Sequence, residues 1–125
     1  MGKLAKSRRE TSSQARTMLR MLRISPQKLG LVAREIRGLD CSKALVQLSF
    51  MRRRIAADVA KALQTAIANA ENNHALDVDR LFVKEAYIGK AAVMKRFRPR
   101  ARGRGSRIQK PFSNLTLILQ EREDQ

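Results

Sequence analysis

The sequence predicts an α+β fold: three helices packed on a small three-stranded antiparallel sheet, with a long protruding β-hairpin. Three observations carry this. Apolar residues alternate first, then recur at helical spacing, then alternate again, so helices are bunched between strands. The stretch Lys90 to Lys110, KAAVMKRFRPRARGRGSRIQK, holds nine basic residues in 21 and no Asp or Glu. That basic run is internal, and two apolar strand-like runs bracket it: LFVKEAYI (Leu81 to Ile88) and LTLIL (Leu115 to Leu119). A basic segment held between two strands is an elaborate hairpin, not a tail.

The elements follow in order. Residues 1–14 form a basic arm with Lys3, Lys6, Arg8 and Arg9. It is either a frayed terminus or an arm ordered by phosphate. ARTMLRMLR (Ala15 to Arg23) is a strand, with Thr17, Leu19 and Met21 on one face and Arg16 and Arg20 on the other. Ser25 caps a first helix that Pro26 opens, and Leu29, Val32, Ala33 and Ile36 follow at helical spacing until Gly38 ends it. Asp40 is placed to cap a second, short helix through Leu48, with Ala44, Leu45 and Leu48 inward.

The longest helix is expected over Arg52 to Asn72, with Ile55, Val59, Leu63, Ile67 and Ala70 in one stripe. Arg52, Arg53 and Arg54 would open it, against the helix dipole. They are either an RNA contact or plain solvated surface. His74 is expected in a surface turn after the helix. Leu81 to Ile88 is the second strand. Phe112 to Gln120 is the third, with Leu115, Leu117 and Leu119 on one face and Thr116, Ile118 and Gln120 on the other.

If the second strand continues to Arg98 it is about 60 Å long, against a body roughly 30 to 35 Å across, so the hairpin must protrude. Pro99, Gly103 and Gly105 mark its tip. A lone two-stranded ribbon is marginal in water, and like charge strains this one further, so its order is expected to come from a partner. The domain plan is one unit of 1–125: an arm (1–14), a body (15–88 and 112–121) and an extended basic hairpin (89–111).

Composition narrows the function. The net charge is +16, far beyond what solubility needs, and nucleic acid is the commonest polyanion to answer it. No apolar run approaches membrane-spanning length, so no membrane partner is expected. Cys41 is alone, which rules out an internal disulfide and fits a reducing compartment. With His74 the single histidine, an ordinary Cys/His zinc site is excluded. The first residues are basic and serine-rich, as in an organellar targeting arm; Glu10 and the short length count against one. No nucleophile elbow or phosphate loop is present, so no catalysis and no cofactor are expected.

RNA suits the residues better. Arginine offers a planar fork to phosphate and stacks on bases, and six of the eight cations from Lys95 to Lys110 are Arg. Phe97, and Tyr87 at the hairpin base, add stacking surface. A DNA reader more often carries its cations on a helix. The rival reading is a DNA-binding architectural protein that inserts a basic β-arm into a groove.

At this point the residues carry a resemblance. Lys95, then Arg100-Ala101-Arg102-Gly103-Arg104, then Asn114-Leu115-Thr116-Leu117-Ile118-Leu119 resembles the signature of the large-subunit ribosomal protein twenty-two family. Arg23-Ile24-Ser25-Pro26-Gln27-Lys28, Ile36-Arg37-Gly38, Ala66-Ile67-Ala68-Asn69-Ala70-Glu71-Asn72 and Met94-Lys95-Arg96 are similar to the same family. The likeness runs from about Ala15 to the end. Two places depart from it: Asn114 replaces a usual histidine, and Ile88-Gly89-Lys90-Ala91-Ala92 replaces an acidic Gly-Pro turn. The first is expected to matter little, and the second to alter the bend of the arm.

The resemblance implies a structural role in the large ribosomal subunit, support of its assembly, and binding to its rRNA. The expected rRNA contacts are Arg8 and Arg9 in the arm, Arg16, Arg20, Arg23 and Lys28 in the body, and the hairpin cations. Those are Lys90, Lys95, Arg96, Arg98, Arg100, Arg102, Arg104, Arg107 and Lys110. The hairpin would line the nascent-peptide exit tunnel with Met94, Lys95, Arg96, Pro99, Arg100, Arg102, Gly103 and Arg104. Neighbouring ribosomal proteins and the nascent peptide are the other implied partners. A homo-oligomer is not. The implied location is a cytoplasmic ribosome, or that of an organelle.

Overall fold

The computed structural model describes residues 2–9 and 11–123. Met1 and Glu10 of the arm, and Asp124 and Gln125, lie outside them. The element order is the expected one: β1 (Gln14–Leu22), α1 (Pro26–Ile36), α2 (Cys41–Phe50), α3 (Ala56–His74), a short 3-10 turn, β2 (Leu81–Pro99) and β3 (Gly105–Glu121). The sheet is antiparallel with order β1-β3-β2. The last strand is therefore central, and the helices cover one face of it.

In β1, Ala15, Thr17 and Leu19 point to the helices, but Met21 does not. The backbone there turns to φ 58° and the register shifts between Leu19 and Leu22, which leaves Met21 53% exposed. A bulge re-aims the strand end and breaks the alternation. Asn114 Oδ1 accepts the Met21 N–H at 3.1 Å. The residue expected to matter little thus satisfies a donor at the irregularity.

Ser25 caps α1 as expected: its hydroxyl accepts the Lys28 N–H at 3.3 Å, and Pro26 follows. Leu29, Val32, Ala33 and Ile36 are buried. Gly38 takes φ 77°, a left-handed turn that glycine adopts without strain, and donates its N–H to Val83 O at 2.8 Å. Asp40 precedes α2 but makes no side-chain cap bond. Its carboxylate instead accepts Arg122 Nε–H at 2.9 Å and lies 3.6 Å from Lys43 Nζ. A charge-assisted bond wins over a neutral amide donor.

The longest helix starts at Ala56, not Arg52, and runs through His74 rather than stopping at Asn72. Arg52 and Arg53 lie in the irregular segment before it, and Arg54 in the turn that leads into it. Three cations at the positive end of the dipole are unfavourable, whereas Asp58 in the first turn is favourable. Ala75, left-handed at φ 51°, ends the helix. The buried stripe is Ala56, Val59, Ala62, Leu63, Ala66 and Ala70, with Ile67 at its edge. Alanines bring α3 close to β1, where Asn69 Nδ2 donates to Thr17 Oγ1 at 3.3 Å.

The core is apolar and lies wholly in the body. Leu115, Leu117 and Leu119 of β3, Val83 of β2 and Leu29, Ile36 and Leu63 of the helices are fully buried; no buried core residue lies between Val93 and Pro111. Leu117→Ala is expected to cost about 2 to 5 kcal/mol. Deleting Met94 to Arg96 is expected to change stability by less than about 1 kcal/mol, because it removes no buried contact. Urea unfolding of both variants checks this; a lost cooperative transition in the deletion would place the hairpin in the core.

Candidate nucleic-acid interface

β2 and β3 leave the body together. At the root, Lys90 pairs with Ser113 and Val93 with Pro111, so Ala91 and Ala92 face a single residue across the ladder. This bulge falls in the segment whose bend the sequence left open. Ser113, fully buried, fixes the root by donating its hydroxyl to Ile24 O at 2.7 Å. Beyond it seven unbroken pairs run from Val93–Pro111 to Pro99–Gly105, about 23 Å of ribbon.

The register separates the charges. Lys90 faces Ser113, Lys95 faces Gln109, Arg96 faces Ile108, Arg98 faces Ser106, Arg107 faces Phe97 and Lys110 faces Met94. Every cation in the ladder thus sits opposite a neutral residue. A slip of one residue in one direction would oppose Arg98 to Arg107 and Lys95 to Lys110. A slip in the other direction would oppose Arg96 to Arg107. Directly opposed like charges are destabilising, so charge specifies this register where no core does.

A tight turn closes the ribbon. Arg104 N–H reaches Ala101 O at 3.4 Å and Arg100 N–H reaches Arg104 O at 2.7 Å. Arg102 (φ 62°) and Gly103 (φ 68°) are both left-handed. Two such central residues give the mirror-image turn whose twist matches antiparallel strands. Gly105, expected in the tip, instead begins β3. Its Hα side is covered by Phe97: a Cβ built there would lie 1.9 Å from the ring's Cζ. The ring is still 69% exposed, so its other face is open.

All nine hairpin cations are exposed, and among the described residues no ion pair reaches them. Their charge is available to an outside anion. The body adds a second basic area on the sheet face away from the helices. Arg8, Arg16 and Arg20 line a groove of about 590 Å³ with Thr11, Ser12, Gln14, Met18 and His74. Next to it Lys6, Arg8, Arg9, Arg16, Lys84 and Tyr87, with one acid, Glu85, line one of about 720 Å³, over Ile118. The arm is tied to this face: Gln14, 8% exposed, bonds Gln120 Oε1 at 3.3 Å and accepts the Thr11 N–H at 3.4 Å. His74 is thus the last residue of α3 and lines a basic groove.

Arg23 and Lys28 belong to neither groove. They flank the turn between β1 and α1, which Ser113 ties to the hairpin root. Arg54 joins them there, donating Nη2–H to Arg23 O at 3.2 Å. The candidates therefore form a line: arm, outer sheet face, root turn, ribbon. Lys84 was missed. Alternation from Leu81 and Val83 would have put it on the outer face, and there it meets the arm.

Other cations are structural. Arg37 Nε–H donates to Ala86 O at 2.7 Å. Arg122 binds Asp40 and lies 4.6 Å from the Phe82 ring centroid, tying the chain's end to α2 and β2. Arg80 pairs with Glu121 at 3.3 Å and donates to Arg122 O.

Little else in the body is chemically active. Cys41 is buried at the start of α2; burial first, then Asp40, push its thiol up to about 11. Among the described residues no cluster of His, Cys, Asp and Glu could hold a metal. Among the described residues no helix is long and apolar enough to cross a membrane.

A family model described as ribosomal protein L22p/L17e matches residues 17–120. The chain belongs to that family. The large ribosomal subunit protein uL22 of Methylobacterium sp. (strain 4-46) is 60% identical over 121 residues, covering 97% of this chain and 95% of the relative. That of Rhodospirillum rubrum is 58% identical over 122 residues, covering 98% and 97%. That of Rhodospirillum centenum is 56% identical over 125 residues, covering 100% and 95%. The match spans body and hairpin alike, so the ribbon is part of the family's chain and not an addition to it.

Two outcomes are expected. Arg37→Ala loses a bond to a backbone carbonyl and should cost roughly 1.5 to 3 kcal/mol of stability, whereas Arg104→Ala should leave the denaturation midpoint unchanged. Equal midpoints would show Arg37 to be surface charge. Cys41 should resist iodoacetamide at pH 8 until the chain unfolds. Its folded thiol keeps a proton that the unfolded one, at 9.0, gives up. Stability should therefore fall as pH rises from 9.0 to about 11. Urea titrations should show a smaller fall in Cys41→Ser.

Proposed function

We propose that this chain is a structural, non-enzymatic protein of the large ribosomal subunit that binds rRNA, supports assembly of the subunit, and lines the exit tunnel with its hairpin. Membership of the L22p/L17e family supports the ribosomal role, as do relatives named for the large subunit. The observation that carries rRNA binding is the ribbon itself. It projects beyond the core, its cations have no acid to pair with, and its register holds them apart along both edges. A folded RNA presents phosphates at comparable density, so each cation can meet its own.

The roles divide along the chain. Arg96, Arg98, Arg107, Lys95 and Lys110 are spaced along the rod to neutralise different RNA segments and hold them together during assembly. Arg8, Arg9, Arg16 and Arg20 offer a second contact on the outer sheet face. Arg23, Lys28 and Lys90 serve at the root. Arg100, Arg102, Gly103 and Arg104, with Pro99 and the Met94-Lys95-Arg96 stretch, form the part that would line the tunnel and meet the nascent peptide. Arginine suits these positions because its fork binds phosphate in two bonds and its plane stacks on bases. Like its bacterial relatives the chain would work on a cytoplasmic ribosome, beside other ribosomal proteins. A DNA-binding role has only the charge in its favour.

Salt titration tests the binding. If most of the nine hairpin cations meet phosphate, affinity for a large-subunit rRNA fragment should fall with a log–log slope of about −6, using the single-strand coefficient. A slope near −1 would exclude the hairpin as the binding element. Residue-level crosslinking in intact cells checks the tip: crosslinks from Arg100 to Arg104 to DNA alone would favour the rival.

A further inference from the structure

We propose that Phe97 is a positioning residue, which seats its ring on Gly105 and so holds the hairpin tip as a rod already formed before RNA binds. It deepens the rRNA-binding reading and rests on it for its binding arm only. The sequence alone suggested the reverse, a tip ordered by its partner. Three features of the ribbon remove the need for that.

The first is the ring. Phe97 pairs directly with Arg107, so Gly105 is its diagonal neighbour across the strands. That is a distance an aromatic side chain spans. A glycine in a strand has no side chain to pack and an excess of backbone freedom. An aromatic ring laid over it from the next strand restores the missing contact. Here the fit is close: a Cβ at Gly105 would fall 1.9, 2.4 and 2.9 Å from Cζ, Cε2 and Cε1 of the ring. The ring occupies the space a side chain would need, so the two residues depend on each other. Alanine at 105 would push the ring off, since a side-chain end moves more readily than a strand.

The second is the turn, whose two left-handed residues already have the twist of the strands they join. The third is the register, which opposes no cation to another from Val93–Pro111 to Pro99–Gly105; only beyond it do Arg100 and Arg104 meet across the turn. Remaining repulsion acts along and diagonally across the ribbon, where water and salt screen it. Phe97 sits two rungs from the last one, Pro99–Gly105, and clamps the end that would fray first. A preformed tip presents Arg96 and Arg98 without paying the ordering entropy at the moment of binding.

The experiment uses the full chain without RNA, then a large-subunit rRNA fragment. In free protein the Gly105 Hα resonances should be shifted upfield by the ring, and the Arg104 amide should exchange slowly. Phe97→Ala should abolish the shift and speed Arg104 exchange about two- to fivefold, the size of one cross-strand contact, while Phe97→Tyr should preserve both. Gly105→Ala should speed exchange in the same way, but should have no effect, or slow it, when added to Phe97→Ala. That sign change is the signature of a ring filling the glycine's space.

In the rRNA arm, Phe97→Ala and Gly105→Ala should each weaken binding about two- to fivefold with the salt slope unchanged, because no cation is removed. An unshifted Gly105 Hα in the wild-type chain would overturn the proposal, as would Gly105→Ala being tolerated equally with and without Phe97. A wild-type chain that fails to bind the fragment would instead defeat the rRNA reading, and would leave the free-protein results standing.

Discussion

Repulsion among like charges is the constraint on which the rest of this structure depends. Between Ala86 and Gln120 there is no acid to relieve it. The chain answers by separation. The core contains no cation and lies wholly in the body, and the basic run is carried beyond it on two strands. Within the ribbon each cation faces serine, glutamine, isoleucine, phenylalanine or methionine. In a strand pair with a buried face, burial chooses the register. This ribbon has no buried face, and the same choice falls to electrostatics.

That constraint also divides the basic residues by what they touch. Arg37, Arg80 and Arg122 end on backbone carbonyls or carboxylates within the body. They hold the sheet to the helices. The hairpin cations have no such partner in the body; Arg96 donates to the carbonyl of the preceding Lys95, within the ribbon. A net charge of +16 therefore overstates the charge offered to an outside anion in one sense, since part of it works internally. It understates it in another, since the free part is concentrated on one ribbon. Composition alone gives the sum, and only the fold gives the distribution.

Periodicity made most of the fold legible. The α1 stripe of Leu29, Val32, Ala33 and Ile36, and the β3 alternation of Leu115, Leu117 and Leu119, each report one buried face, and burial is what those patterns encode. The expectations that failed have causes outside any hydrophobic pattern. Met21 left its face because of a bulge, and Asn114 sits where it can bond the displaced amide. The start of α3 lies at Ala56 and not Arg52, which keeps three cations out of a first turn where the helix dipole disfavours them. Asp40 gave up its cap to Arg122, a residue 82 positions away. In each case the deciding partner is distant in sequence or is a backbone group.

The hairpin shows the same limit at the functional end. Its cations were plain in the sequence because charge is a property of single residues. Gly105 was not, because its meaning depends on what lies across the strand. Taken alone, a glycine near Pro99 and Gly103 signals a turn. Set diagonally from Phe97, it is the gap that a ring fills. Phe97 changes meaning with it: one face of its ring is committed to the ribbon, and only the other remains for a base. Two residues whose sequence context pointed to a turn and to base stacking thus act first on each other. The ribbon's shape then depends on a neutral pair, while its charge depends on the arginines beside it.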